Sequence, residues 1–584
     1  MNNNLYSVIL YGNEKIDYLI KNINNINNIY TLTPNAKALV IDKFGKKIVD
    51  HHIIYGDKIQ KNNLVKVSEL QNIFFEKFKS FENNISSPSY ETFFNLFNHH
   101  LSSVYFIYST VQIIKNIENN LLIFNGKQWI KSKNKFEITN ILYNYINNQR
   151  KGFIDIKINN NFITKNILKI INHFLIYLLR NKKIIWTAGF SSGLNNLKIK
   201  LNQNDNNNIF LTISNRTKYK LYISIKNLYK LIFNSKNTYD LEFILLNSKI
   251  KETYDIIFET FSKINDPLLN SINKEISKFF SSHIDYTESI LEYSEKIILK
   301  SNPKLLIADQ LKWFNSSVLG YIFKKNNIDT YLISHGSHVL PLNKHSKIAM
   351  NFHSRGLLYS QYANNVVLQS PSAKNLIDTI NTNSRKILSQ PIMWGINKGH
   401  KKKLSNKAVI LHAGTIKTAN SRPYLYETSS EYVQGIINLI KAIDIIPEAY
   451  LIIRFRKSME CSFENFIKLL PKSKNYEVKM KGTFIDDLSN SDLLISYSST
   501  TIEEALYQHK PVGLYSLNSD FKYVKGSSNP PTENSRNAVY YLEQHNLVKM
   551  IKSIIKYHKI DLTANEVKQY VWKKEIKYFS NFIK

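Results

Sequence analysis

From Leu305 to Tyr515, short apolar runs alternate with stretches of helical period, and that alternation restricts the chain to few architectures. Runs of strand length stand at Leu305–Asp309, Thr330–Ser334, Val366–Gln369, Ala408–His412, Tyr450–Arg454, Tyr476–Met480, Leu493–Ser496 and Val512–Tyr515. Helical patterns separate them, as at Asn315–Lys325, Glu431–Ile443 and Phe463–Leu470. Strand–helix repetition at this spacing predicts parallel, doubly wound sheets whose ligands sit at the carboxyl ends of strands. Helices are predicted before this stretch at 255–261, 269–281 and 286–299, and after it at Ala538–Tyr557 and Ala564–Phe582.

The pattern predicts two Rossmann-like domains in tandem, over 1–340 and 341–584, dividing at Pro341. An Asn-rich stretch at Asn159–Asn161 marks a further boundary, with 159–340 read as the Rossmann-like part. Residues 1–158 open as strand, helix and strand from Leu5 to Asp42. Two readings stand for them, a separate module or the first half of a larger α/β domain.

Within this frame the segment SDLLISYSSTTIEEALYQHKPVGLYS, Ser491–Ser516, carries the most chemistry. An apolar strand ends in the hydroxyls of Ser496, Ser498, Ser499, Thr500 and Thr501, a helix then starts with Glu503 and Glu504 in its first turn, and a second strand follows. Hydroxyls and backbone N–H groups at a helix start can receive phosphate. They can equally serve as an N-cap.

Composition bears on partners. Lys and Arg number 78 against 45 Asp and Glu, a net charge of +33, which suits phosphate-rich ligands, anionic membrane surfaces or nucleic acid. The accompanying excess of Asn, Ile and Lys is the bias of an AT-rich coding sequence and accounts for part of the charge. No nucleic-acid-binding motif or concentrated basic tail is present, so nucleic acid is not expected as a partner. One cysteine, Cys461, excludes an internal disulfide and a cysteine-built metal site. Asp486-Asp487 reads as the first turn of a short helix, and no metal site is expected. Without a signal-like start or an apolar run of about 18 residues, the expected location is the cytoplasm. Two basic, apolar-rich helices, Ile167–Leu179 and Tyr219–Phe233, could pack into a core with lysines at the rim or lie on anionic lipid.

Tandem Rossmann-like domains with SHGSH at Ser334–His338, LHAGT at Leu411–Thr415 and the hydroxyl-rich segment at Asp492–Tyr515 resemble the GT-B glycosyltransferases. The last segment is similar to the one that holds donor phosphates in bacterial sialyl-, polysialyl- and Kdo-transferases and in CDP-glycerol glycerophosphotransferases. The resemblance implies an α/β GT-B fold, two Rossmann-like doubly wound domains facing a central cleft. It implies transfer of a sugar from a CMP- or UDP-linked donor to a surface polysaccharide or lipid-linked glycan, with no separate cofactor. The N-terminal region would take the acceptor and the C-terminal domain the nucleotide-sugar, with peripheral contact to an anionic inner membrane.

Carried over by position, Ser498, Ser499, Thr500 and Thr501 would contact phosphate. Glu503 or Glu504 would reach the ribose or remain a first-turn charge. His412, Gly414 and Thr415 would form the loop beside the donor. Arg454 and Arg456 stand where such enzymes place a basic residue or a His-Pro pair, and the His-Pro is absent here. Lys417 and Arg422, with Arg454, would add a cationic wall. His335 would be the base for the acceptor hydroxyl, with Asp309 and His338 behind it. The same features also allow a CDP-alditol phosphotransferase, a nonhydrolysing sugar-nucleotide epimerase, or a noncatalytic glycan- or lipid-surface binding protein.

Overall fold

The computed structural model describes residues 5–579 apart from 13, 55–56, 80–85, 150–161, 190–191, 206, 214–224, 228, 230–236, 242–249, 313, 335–339, 342, 395–406, 417–426 and 518–520. The boundary expected at Asn159–Asn161 and most of the expected helix Tyr219–Phe233 lie outside the described residues.

Three mainly parallel sheets follow one another along the chain. The first holds β1 (Tyr6–Leu10), β2 (Ile26–Thr31), β3 (Ile48–Asp50), β4 (Leu121–Phe124) and β5 (Trp129–Ser132), in the order β3-β2-β1-β4-β5. The second holds β6 (Lys183–Ala188), β7 (Asn208–Ile213), β8 (Thr238–Leu241), β9 (Pro303–Ala308), β10 (Thr330–Ile333), β12 (Asn365–Leu368) and β13 (Arg385–Leu388). Its order is β13-β12-β10-β9-β6-β7-β8, and β11 (Leu340–Pro341) stands outside it. The third holds β14 (Ala408–Ala413), β15 (Ala449–Arg454), β16 (Tyr476–Lys479), β17 (Leu493–Ser496), β18 (Val512–Tyr515) and β20 (Val539–Leu542), ordered β16-β15-β14-β17-β18-β20. Strands such as β12, β17 and β18 are buried along their whole length, as parallel strands covered on both faces must be.

All three sheets are wound in the same way. The first strand made lies inside, the next two step to one side, and the chain then returns to the other side. The reversals fall between β1 and β4, β6 and β9, and β14 and β17. At such points loops leave adjacent strands in opposite directions and open a crevice at their carboxyl ends. The second and third sheets are the two expected Rossmann-like lobes, and residues 1–158 contribute a third sheet of the same kind.

Several expectations are corrected. β12 and β13 join the second sheet, with Tyr331 of β10 opposite Asn365. The break between lobes therefore falls between Leu388 and Ala408, not at Pro341. Val539–Leu542 is a strand paired to β18, and the helix expected from Ala538 begins only at Leu547. The last expected helix is confined to Ala564–Val567. The patterns at 269–281 and 286–299 form one helix of 34 residues, Pro267–Lys300, started by Asp266 accepting from the amides of Leu268 and Leu269.

The parts are tied together at several places. Phe74 and Phe93 of the first module pack with Phe261 and Phe280 of the second. Arg355 grips buried Glu91 through two bonds of 2.6 Å. On its other side the first module meets the third lobe: Asn35 donates to the Met459 carbonyl and accepts from the Ser462 amide, and the Tyr11 hydroxyl donates to Glu460 at 2.8 Å. β11 pairs with β19 (Phe521–Lys522), joining loops from the carboxyl edges of the second and third sheets. The chain finally crosses back to the second lobe, where Trp572 Nε1 donates to the Leu368 carbonyl and the Phe579 amide to Ser389 Oγ. Phe579 is fully buried in the core containing Ile185, Leu305 and Val367.

Candidate functional site

The winding of the third sheet brings the LHAGT loop and the hydroxyl segment together. β14 and β17 are neighbours, with His412 opposite Ile495. Ser496 Oγ donates to the Ala413 carbonyl at 2.5 Å, which locks the two exits side by side at the reversal point. The helix Thr501–Tyr507 starts there, with Thr500 at its N-cap making no side-chain cap bond. Ser499 Oγ instead accepts from the Thr501 amide at 3.3 Å. Ser499 thus satisfies the first helical amide from the position before the N-cap. The half-buried hydroxyls of Ser498 and Thr500 make no hydrogen bond among the described residues, and half-buried Thr415 lies on the facing loop.

Behind this crevice sit two buried polar atoms with no hydrogen-bond partner among the described residues, His412 Nδ1 and Tyr432 Oη. The rings meet edge-on, 5.7 Å apart. Burial pushes the His412 imidazole down to about 4, so it is neutral near pH 7 and holds one donor and one acceptor. The Tyr432 phenol is pushed up, by burial first and then by Glu427 and Cys461. Buried unpaired polar atoms carry a desolvation penalty of roughly 1–3 kcal/mol, so each calls for a compensating partner such as a water, an ion or a ligand. Gly414 keeps the approach open. A Cβ there would stand 3.2 Å from Tyr432 Cε2 and 3.6 Å from His412 Cε1.

The two acids of the short helix diverge. Glu503 is buried and accepts from the Tyr523 hydroxyl at 3.1 Å. The Glu504 carboxyl is pushed up to about 7, by burial first and then by Glu503. Near neutral pH it therefore carries its charge only part of the time, which lowers the repulsion toward any phosphate at the helix start. Arg454 is engaged elsewhere. Its guanidinium bridges to Asp487 and donates to the carbonyls of Lys481, Gly482 and Thr483, holding the turn before the helix Phe484–Ser489. That helix is capped by Thr483 with Asp486 and Asp487 in its first turn. Arg456 is exposed, and Lys417 and Arg422 lie outside the described residues.

At the reversal point of the second sheet, Asp309 is buried just past the end of β9, its amide bonded to the Ala188 carbonyl at 3.0 Å. Its carboxylate lies over Gly189, where a Cβ would fall 1.6 Å from Oδ1, and Gly189 has φ +126°. Only glycine fits there. Lys198, which the sequence reading passed over, is buried beside this acid. It donates to Thr212 Oγ1 at 3.1 Å, and burial lowers its ammonium against the opposing pull of Asp240 and Asp309. The available signal was Gly189 and Gly193 bracketing a strand-to-helix turn in a chain with only 17 glycines. His335 and His338 lie outside the described residues. Among the described residues no group of three or more His, Cys, Asp or Glu side chains is disposed to hold a metal ion.

No protein-family model matches the chain, and no curated protein matches it. Solved structures do show a likeness. One is S. aureus MnaA with UDP, at TM-score 0.39 and 13% identity, covering 66% of this chain and 92% of that one. Another is UDP-GlcNAc 2-epimerase from Neisseria meningitidis bound to UDP-GlcNAc, at TM-score 0.37 and 11% identity over 69% and 98%. A third is Anabaena Alr3699/HepE with UDP and glucose, at TM-score 0.34 and 12% identity over 64% and 90%.

Proposed function

We propose that the chain is a glycosyltransferase that binds the phosphates of a CMP- or UDP-linked sugar at the β14/β17 reversal point. The observation that carries this reading is the pair of buried atoms, His412 Nδ1 and Tyr432 Oη, that have no partner among the described residues, behind an exit kept open by Gly414 and beside the hydroxyls of Ser498 and Thr500, which make no hydrogen bond among the described residues. A phosphoryl group accepts only, so hydroxyls and helix-start amides are suited to it.

In this reading the acceptor, a surface or lipid-linked glycan, enters from the second lobe. An acceptor hydroxyl attacks the anomeric carbon while a base takes its proton and the nucleotide leaves with the electrons of the broken C–O bond. Asp309 stands at the second reversal point to receive or orient that hydroxyl, with the sequence candidates His335 and His338 following β10. Lys198 is a positioning residue, a buried cation beside Asp309. The donor is a substrate, so the reading asks for no separate cofactor, and it places the protein in the cytoplasm with nucleotide-activated donors.

The test is thermal unfolding against CMP, CDP, UDP, GDP and ADP. A ligand binding only the native state adds RT ln(1 + [L]/Kd), about 2.7 kcal/mol at a hundredfold excess over Kd. A rise with CMP or UDP that is lost in Ser498→Ala/Thr500→Ala is expected. Indifference to every nucleotide would return the hydroxyl segment to a structural role and leave the noncatalytic reading in front. Incubation with nucleotide-sugar alone distinguishes transfer, which needs an acceptor, from epimerisation, which does not.

A further inference from the structure

The helix Phe162–Leu179 turns two apolar faces outward from its axis, and only one is used. Leu168, Leu175, Ile176 and Leu179 are buried in the core, and Asn172 donates to the Tyr293 hydroxyl at 3.0 Å. The helix is thereby fixed along the long helix Pro267–Lys300. On the opposite side Ile167, Ile170, Phe174, Tyr177 and Leu178 are exposed, with Ile170 at 69%, Tyr177 at 57% and Phe174 at 50%. At 3.6 residues per turn these five fall within an arc of about 100° and run about 16 Å along the helix. Single exposed apolar residues need no explanation, but a contiguous stripe of large ones does.

The border of the stripe is cationic. Lys169 and His173 lie on the adjoining arc with Arg180, whose guanidinium stacks on Tyr177 at 4.3 Å. Lys182 follows in the next turn of chain. Lys300, beside exposed Leu299 at the end of the long helix, is close enough to lower the His173 imidazole together with Lys169, although burial is the larger cause. Glu292 of the same long helix is already bridged to Lys296 at 2.6 Å.

We propose that this face docks on an anionic lipid bilayer, lying in the interface with the ring of Phe174 and the aliphatic side chains beneath the headgroups and the cations among the phosphates. Charge decides between occupants. A second copy of a chain carrying +33 would set one cationic border against another, whereas anionic lipid complements it. The buried half of the helix stays in the protein core, and no helix among the described residues is long and apolar enough to cross a membrane. The contact is therefore peripheral. It is independent of the nucleotide site and stands or falls apart from it.

The test is flotation of the full chain with vesicles of phosphatidylcholine alone and of phosphatidylcholine mixed with phosphatidylglycerol, together with sedimentation without lipid. The parent is expected to float with the mixed vesicles, more strongly at low salt. Ile170→Glu/Phe174→Glu should weaken binding by about tenfold or more, and Lys169→Glu/Arg180→Glu should weaken it on mixed vesicles alone. Ile170, Phe174 and Arg180 are exposed and Lys169 is half-buried at the rim, so the melting temperature should move little. A parent that ignores both vesicle types overturns the proposal. So does undiminished flotation of Ile170→Glu/Phe174→Glu, or a lipid-free dimer that the same substitutions dissociate, which would make a second copy the occupant.

Discussion

Replacing Glu504 by Gln tests the electrostatics of the crevice through the pH dependence of stability. The carboxyl has an ordinary value of 4.5 and is held at about 7 in the folded chain, by burial first and then by Glu503. Below pH 4.5 it is protonated in both folded and unfolded chains and contributes no pH dependence. As the pH rises toward 7 the unfolded chain ionises while the folded one does not, so the parent loses stability across that window and none above it. The difference corresponds to about 3 kcal/mol at most, taking roughly 1.36 kcal/mol per tenfold change in proton affinity. Gln cannot ionise, and other groups titrate alike in both proteins. The advantage of Glu504→Gln over the parent should therefore grow by up to about 3 kcal/mol between acid and mildly alkaline buffer. Urea unfolding of both proteins, read by hydrogen exchange in peptides spanning 493–515, scores the third lobe by itself. An advantage that stays constant with pH, or shrinks as pH rises, would refute the placement of Glu504 in a poorly solvated site.

Two further expectations concern the same lobe. Arg454→Ala should destabilise it by about 3 kcal/mol, because Asp487, only 14% exposed, would keep Lys479 alone as a partner. Asp487→Asn should act in the same direction, with nucleotide affinity changed little in either while folded. Loss of nucleotide binding in Arg454→Ala but not in Asp487→Asn would instead assign the guanidinium to phosphate. Tyr432→Phe should raise the melting temperature of the free protein, by roughly 1 kcal/mol of relieved desolvation, and weaken nucleotide binding. Gly414→Ala, which presses on Tyr432, should weaken binding with little loss of stability. A Tyr432→Phe variant that binds nucleotide as the parent does would detach the orphan hydroxyl from the ligand.

The local grammar of the site was readable because its signals are local. The run Leu493–Ser496, the hydroxyls after it and the helix from Thr501 follow from period and composition over a dozen residues. Membership of a sheet is a different matter. Nothing within Asn365–Leu368 says whether it pairs with β10 or with the strands that follow, since an apolar run of four suits any buried parallel position. Val539–Leu542 was read into a helix for the same reason, and its extended form is enforced by pairing with β18. Arg454 looked like a phosphate ligand because its strand end was visible and Asp487, 33 positions away, was not recognisable as its partner. The orphan pair His412 and Tyr432 lies on two elements that meet only in three dimensions.

The burial of Phe579 inverts the order in which the lobes can be completed. The strands of the second sheet are all synthesised by Leu388, yet part of their core is supplied by a side chain made after the whole third lobe. One face of the third sheet packs a core drawn from residues between Ile410 and Ile554, and that face is free to close first. During translation the earlier lobe must wait with an apolar slot open. The segment around Phe579 then acts as a latch that reports synthesis of the third lobe, and the nascent protein offers that slot to chaperones or to other chains until the latch arrives.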